Sequence, residues 1–245
     1  MRRNSGTELI VQAITGLFIT FSVISCWRTP FLAFILLGLC LAGQLAFWRE
    51  PADGAMMCFA AILGAPSEII MVHNQVWTYH APGLVFGVPA WLPLVWANLF
   101  CLFRRITLTV GSLIPGGSGS HIGQRLFFGF LALMIIAYFL ITIFLIRKNI
   151  AFVFTVFLIP VVIFRHGEYE RLLFIISAIL GTLGEYMMMQ LGFWHYHFPL
   201  LKSIGLPLSL PLAWGLSGVI ISTLAGYWNR EEIRVTGIFR TKKLF

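Results

Sequence analysis

The sequence contains few charged residues. Aspartate, glutamate, lysine and arginine make up only 11% of the 245 residues, and nine residues are acidic. A soluble domain of this length needs many more charged side chains, because these residues supply much of a water-exposed surface. The low charge therefore excludes an ordinary soluble protein.

Cysteine and the short motifs of nucleotide and metal enzymes are also scarce. The four cysteines, Cys26, Cys40, Cys58 and Cys101, lie in or at the ends of apolar runs and show neither metal-ligand spacing nor a disulfide pattern. No Walker loop, G-x-G-x-x-G, G-x-S-x-G, H-E-x-x-H or C-x-x-C motif occurs in a suitable context. We therefore predict no cofactor and no metal ligands.

Long apolar runs occupy most of the chain instead. Hydrophobic residues make up 59% of the sequence, and a helix crosses the bilayer with about 20 residues. Suitable runs lie at 8–26, 30–48, 54–73, 84–103, 126–146, 150–165, 172–192 and 205–228. We predict an all-α polytopic membrane protein with about eight transmembrane helices.

The basic residues are distributed unevenly between the two sides of the predicted membrane. If the N-terminus is cytoplasmic, thirteen of the seventeen lysines and arginines fall in cytoplasmic segments, as the positive-inside rule favours. Both termini are therefore predicted to be cytoplasmic, in a bacterial inner membrane. Because this topology accounts for the net charge of +8, we predict no nucleic-acid partner.

One sequence motif occurs twice along the chain. Its copies begin at Ala61 and Ala178 with the same four residues, AILG. Matched positions lie 117 residues apart (185 − 68) in the first part of the motif, and 118 residues apart after one residue is inserted in the second copy. The matched pairs are Glu68 and Glu185, Trp77 and Trp194, Tyr79 and Tyr196, His80 and His197, Gly87 and Gly205, Pro89 and Pro207, Pro93 and Pro211, and Trp96 and Trp214.

The spacing of the two copies predicts the domain organisation. Four predicted spans separate them, and an even number gives both copies the same orientation. We therefore predict two parallel four-helix repeats, residues 1–103 and 126–229, joined by a cytoplasmic linker, 104–125, and followed by a basic tail, 230–245. The paired prolines at the start of the fourth and eighth spans predict bends in those helices, around packed side chains or a pocket.

Two glutamates lie well inside apolar runs, at the same position in each copy. An ionisable group at the centre of a span costs roughly 2.5–3.5 kcal/mol on insertion scales. A buried carboxyl that only fixes helix packing is one interpretation, but repetition of a costly residue favours a functional site. We predict that Glu68 and Glu185 are catalytic acid and base groups, assisted by His80 and His197.

The repeated histidines and aromatic residues have structural alternatives. Tryptophan, tyrosine and histidine also form belts at membrane interfaces, and the paired Trp96 and Trp214 also suit helix packing. Two glutamates and two histidines also suit a metal, but a tight ligand motif is absent. We predict that six aromatic residues line a substrate site: Trp77, Tyr79, Trp96, Trp194, Tyr196 and Trp214.

The repeated segments resemble two families of membrane enzymes. A glutamate, a W-x-Y segment, G-V-P and P-L-x-W, within Gly64–Trp96 and Gly181–Trp214, are similar to features of membrane carotenoid hydratases and of small membrane lycopene cyclases. Small membrane terpene cyclases are similar more loosely. The resemblance implies acid–base roles for Glu68 and Glu185 and a cofactor-independent reaction through a carbocation.

The predicted function follows from the carboxyls, the aromatic walls and this resemblance. We predict an integral membrane enzyme that hydrates or cyclises an isoprenoid or carotenoid-like lipid taken from the bilayer. A small proton-coupled transporter is an alternative, because midplane carboxyls and repeats also occur in carriers. A non-catalytic lipid-binding or assembly protein is a further alternative. The sequence leaves the oligomeric state open.

Overall fold

The computed structural model describes residues 5–47, 52–113, 168–197, 205–207 and 210–241. Helices dominate these segments, with four short strands beside them. The helices are α1 (Ser5–Cys26), α2 (Pro30–Phe47), α3 (Asp53–His73), α4 (Leu92–Leu113), α5 (Glu168–Gln190) and α6 (Leu210–Thr241). The strands are β1 (Trp77–Tyr79), β2 (Leu84–Val85), β3 (Val88–Pro89) and β4 (Trp194–Tyr196).

The helices have the length and composition of membrane spans. Within the described residues, α1 to α5 each contain a segment of at least 18 residues that is long and apolar enough to cross a bilayer, and α6 contains a shorter apolar segment, Leu210–Gly226. The predicted class, a helical polytopic membrane protein, is confirmed. The predicted spans at 126–146 and 150–165 lie outside the described residues. The total of eight transmembrane helices and the division of the chain into two four-helix repeats therefore stay predictions.

The fourth predicted span begins later than the sequence suggests. Residues 84–91 form the hairpin of β2 and β3 and a turn, and α4 starts at Leu92. Phe86 and Gly87 have φ angles of 53° and 83°, a left-handed conformation that interrupts a helix and that glycine adopts at little cost. The matching Gly205 also has a positive φ, 72°, so the two copies leave their loops in a similar way.

The paired prolines lie at the start of the helices that follow them. Pro93 and Pro211 are the second residues of α4 and α6, where a proline removes an N–H that has no helical acceptor in any case. At these positions a proline is compatible with a regular helix, and the predicted bend stays a prediction. Helix α4 also continues through residues 104–113 and α6 through residues 230–241, into the segments predicted as linker and tail.

The described helices share one core around α4. Helix α3 packs along α4 and α5 along α6, while α3 also contacts α6 and α4 contacts α5. Helices α1 and α2 cover α4 from the other side. Two pairs of polar side chains join these helices: the Gln44 amide donates to Asn98 Oδ1 at 2.7 Å, and the Gln12 amide donates to Thr109 Oγ1 at 2.8 Å. These bonds satisfy the amide donors, which would be costly to leave unpaired in an apolar core.

A two-stranded ribbon joins the two sequence copies. Strands β1 and β4 are antiparallel, with Trp77 opposite Tyr196 and Tyr79 opposite Trp194. The His80 amide donates to the Phe193 carbonyl at 2.8 Å and extends the ladder. Since α3 leads into β1 and α5 leads into β4, the C-terminal ends of both helices meet at this ribbon. We call this end of the molecule the ribbon end.

Candidate functional site: a pair of carboxyls beneath the ribbon

Glu68 is buried beneath the ribbon and has a defined partner. Its carboxyl accepts a hydrogen bond of 2.8 Å from the Tyr79 hydroxyl, and only 5% of the Glu68 surface is exposed. Helix α3 supplies the carboxyl and β1 supplies the phenol eleven residues later. The bond therefore ties the first strand of the ribbon to the helix that precedes it.

Glu185 repeats this arrangement in the second copy. Its carboxyl accepts a hydrogen bond of 3.1 Å from the Tyr196 hydroxyl, again across eleven residues. Glu185 is half-buried, whereas Glu68 is buried. The two copies thus share their hydrogen bonding but differ in enclosure.

Both carboxyls act on both phenols, so the four side chains form one centre. Burial is the largest effect that raises the pKa of Tyr79 well above its ordinary value, and the charges of Glu68 and Glu185 raise it further. The pKa of Tyr196 is raised in the same way, by burial and then by Glu185 and Glu68. Both phenols therefore stay protonated and remain hydrogen-bond donors. We call Glu68, Tyr79, Glu185 and Tyr196 the carboxyl centre.

The inner face of the ribbon supplies aromatic rings to this centre. Side chains alternate between the faces of a strand, so Trp77 and Tyr79 share a face with Trp194 and Tyr196. The rings of Trp77 and Tyr196 pack edge to face with centroids 5.4 Å apart, and those of Tyr79 and Trp194 do the same at 5.4 Å. Each tyrosine is therefore oriented by a tryptophan of the other copy.

A second pair of indoles lies between the copies. The rings of Trp96 and Trp214 stack with centroids 5.2 Å apart and an interplanar angle of 13°, and Phe100 stacks on both. The Trp77 and Trp96 side chains also interact with the Glu68 carboxyl, and those of Trp194 and Trp214 interact with Glu185. The six aromatic residues predicted from the sequence are thus together around the carboxyls.

Two glycines allow this close packing. A Cβ atom added to Gly64 would overlap the Trp96 ring, and one added to Gly181 would overlap the Trp214 ring. These are matched positions, the last letter of AILG in each copy. The repeated glycine therefore marks a close approach of helix backbone and indole.

The predicted histidines are separated from the glutamates. Strand alternation places His80 and His197 on the exposed outer face of the ribbon, while Tyr79 and Tyr196 point inward to the carboxyls. A metal site made of both glutamates and both histidines is therefore not assembled. Among the described residues, no three His, Cys, Asp or Glu side chains are arranged around one metal position.

Sequence reasoning missed two residues at the ribbon. Trp27, between α1 and α2, stacks on Phe193 with centroids 4.2 Å apart and packs against Trp91 at 5.5 Å. It lies outside the repeat, so repeat matching gave no signal for it. His195 faces the same side as His80, and its position between Trp194 and Tyr196 was a usable signal through strand alternation.

A third missed feature lies at the end of the bundle opposite the ribbon. The Asp53 carboxylate pairs with Arg104 at 2.8 Å and with Arg105 at 2.7 Å, and Asp53 is fully buried. Arg105 also donates to the Gln44 carbonyl at 2.9 Å. We call this end the arginine end. These residues were interpreted as charges flanking the spans, whereas they are part of the packed structure.

The helices and the buried centre define a polytopic integral membrane protein with aromatic rings packed around two carboxyls. No family model and no curated protein sequence matches the chain. Its fold is similar to the crystal structure of MvINS, a mycobacterial Insig homologue from Mycobacterium vanbaalenii, with a TM-score of 0.54 and 15% identity over 72% of this chain and 93% of that chain. A cross-linked trimer of MvINS gives the same values. At this identity the likeness shows the fold alone.

The comparison corrects the function predicted from the sequence. The solved structures that share the fold are Insig homologues, and neither is an isoprenoid hydratase or cyclase. The predicted carbocation enzyme is therefore wrong. The individual roles predicted for the site residues stay predictions.

Proposed function

We propose that this chain is a non-catalytic membrane protein that acts by lateral assembly in the bilayer, as a homotrimer. The observation that carries the proposal is that the chain's own side chains occupy the carboxyl centre. Each carboxyl accepts a tyrosine hydroxyl, and the stacked Trp96 and Trp214 rings lie between the copies. The centre therefore works as an internal clasp that fixes the ribbon on the helices.

The clasp explains why both copies keep a costly residue. A buried carboxyl is tolerated when hydrogen bonds compensate its lost hydration. Glu68 and Glu185 receive those bonds from opposite strands of one ribbon, so removing either one loosens the joint between the copies. A joint of this kind gives a rigid body, which suits binding to another protein.

Helix α2 offers the surface for assembly. It buries Ala33, Leu37 and Gln44 against the bundle, and its opposite face is exposed. That face carries two large side chains, Ile35 and Leu39, beside the small residues Gly38, Ala42 and Ala46. A Cβ atom added to Gly38 would meet nothing within 4 Å.

Small residues four positions apart form a shallow groove on a helix. In membranes, such grooves allow close packing of helix backbones, which is a main source of helix association there. A second copy of this chain fits the groove because its own α2 carries the same complementary ridge of Ile35 and Leu39. The trimeric crystal form of the structural neighbour MvINS supports three copies as the assembly.

Substitution of Ala42 by leucine tests this proposal. Ala42→Leu fills the groove and is expected to convert the trimer to monomer in lipid nanodiscs, as measured by native mass spectrometry or subunit photobleaching. Ala13→Leu is the matched control, because Ala13 is a small exposed residue on α1, and it should leave the trimer intact. A monomeric wild-type protein at high protein-to-lipid ratio, or a fully trimeric Ala42→Leu variant, would refute the assembly.

A further inference from the structure

The outer face of the ribbon carries a cluster of imidazoles that the clasp does not use. His80 Nε2 lies 2.9 Å from His195 Nδ1, and the two rings are stacked with centroids 5.0 Å apart. The ring of His197 lies 4.6 Å from that of His195, and its Nε2 lies 2.8 Å from Thr78 Oγ1. All three histidines are exposed.

We propose that His80 and His195 form a binding site for a divalent transition metal of the copper(II) class, which links the two sequence copies across the ribbon. His80 follows β1 and His195 lies in β4, so one ion bound to both would bridge the strands. The proposal is independent of trimer formation, since it concerns a different face of the molecule.

The spacing of the two nitrogens allows both to reach one ion. His80 Nε2 and His195 Nδ1 lie 2.9 Å apart as a hydrogen-bonded pair, and two nitrogen ligands of one ion with bonds of about 2.0 Å lie roughly 2.8–3.3 Å apart. Imidazole ligands suit copper(II), nickel(II) and zinc, and copper(II) binds them most strongly among the common divalent ions.

Binding needs a proton shift and a ring rotation. Each neutral imidazole has a single N–H, so the proton of the His80–His195 hydrogen bond must move to the outer nitrogen of its ring, leaving His80 Nε2 and His195 Nδ1 as donors to the metal. Both rings must also turn until their lone pairs converge. Because the side chains are exposed, this rotation does not disturb the core.

His197 is expected to have a secondary role. Its Nε2 is directed to Thr78, and no three ligand side chains of the described residues converge in this conformation. A two-histidine site, completed by water, is therefore the predicted minimum. Loss of His197 should weaken binding without abolishing it.

The test uses the full chain, purified without a polyhistidine tag, in detergent. Copper(II) chloride should raise the thermal unfolding midpoint to a plateau at one ion per chain, and magnesium chloride should not. The electron paramagnetic resonance spectrum of the bound copper should show coupling to two nitrogens. His80→Ala and His195→Ala should lose both signals, while His197→Ala retains a weakened site.

His73→Ala is the matched control, because His73 is exposed at the end of α3 and outside the cluster. It should bind copper like the wild type. An equal rise of the midpoint with magnesium, unchanged copper spectra in His80→Ala and His195→Ala, or loss of binding in His73→Ala would each overturn the site. So would complete loss of binding in His197→Ala, which would make that residue an essential ligand.

Discussion

The two sequence copies are alike at the ribbon end and different at the arginine end. At the ribbon end, each copy contributes a glutamate, a tyrosine, a glycine and a stacked tryptophan. At the arginine end, Asp53 pairs with two arginines in the first copy. The second copy has serine and threonine at the matching positions, 222 and 223, and the Tyr169 and Ser222 hydroxyls meet there at 3.1 Å.

This difference follows from what each end contacts. At the ribbon end the copies pack against each other, so a change in one copy must fit the rings of the other. At the arginine end, the ion pair of the first copy contacts the end of α2 through the Gln44 carbonyl, and α2 lies outside the repeated segments. The residues that differ between the copies are thus those that also contact this additional helix.

Removal of the Asp53 carboxylate is expected to have the largest effect and would test the arginine end. Asp53→Ala leaves Arg104 and Arg105 without their carboxylate in a buried site, which typically costs about 3–5 kcal/mol. Glu170→Ala is the matched change in the second copy and should cost less than about 1 kcal/mol. The free energy of unfolding, measured by titration with a denaturing detergent, reports both. Equal losses would show that the two copies do not differ at this end.

Replacing the two matched glycines by alanine tests whether the two copies are packed equally tightly at the ribbon end. Gly64→Ala and Gly181→Ala place a methyl group in an indole ring, and overpacking of this kind costs about 1–3 kcal/mol or more. We expect similar losses of unfolding free energy in both. Gly184→Ala, where an added Cβ meets nothing within 4 Å, is the control and should be neutral or slightly stabilising. A tolerated Gly64→Ala would contradict the close approach.

Removing one tyrosine hydroxyl tests whether the more deeply buried carboxyl depends more strongly on its hydrogen bond. Tyr79→Phe leaves the buried Glu68 without its donor, and an unsatisfied buried group costs about 1–3 kcal/mol. Tyr196→Phe should cost less, because Glu185 is half-buried and its bond is longer, 3.1 Å against 2.8 Å. Thermal unfolding of the two variants in parallel measures this order. The reverse order would show that enclosure does not set the strength of the clasp.

The repeat could be found from the sequence because its costly residues recur at a fixed spacing. Glu68 and Glu185 are informative since an apolar run normally excludes a carboxyl, and the aromatic residues that recur with them lie around the same centre. Their predicted role in binding a substrate stays a prediction. The role of that centre could not be predicted, because the same residue types suit a reactive pocket and a packed joint. The stacking of Trp96 on Trp214, on which the proposed joint depends, is visible only in the structure.

Other features needed contacts between distant parts of the chain. The pairing of Asp53 with Arg105 joins residues 52 positions apart, and no periodicity in the sequence connects them. The start of α4 was missed because residues 84–91 are mostly apolar, and hydropathy alone does not separate an apolar hairpin from a helix.

Composition and pattern by themselves determined that this protein is a bundle of apolar helices in a membrane, since long continuous apolar runs favour helices, which satisfy all their backbone hydrogen bonds internally. They also determined which residues recur together. The tertiary structure decided that each carboxyl accepts the tyrosine hydroxyl of its own copy, that the two strands pair into one ribbon with the histidines on its outer face, and that the Trp96 and Trp214 rings stack between the copies. The pairing of the strands and the stacking of the indoles join residues more than 100 positions apart, and local sequence does not encode where such distant surfaces meet.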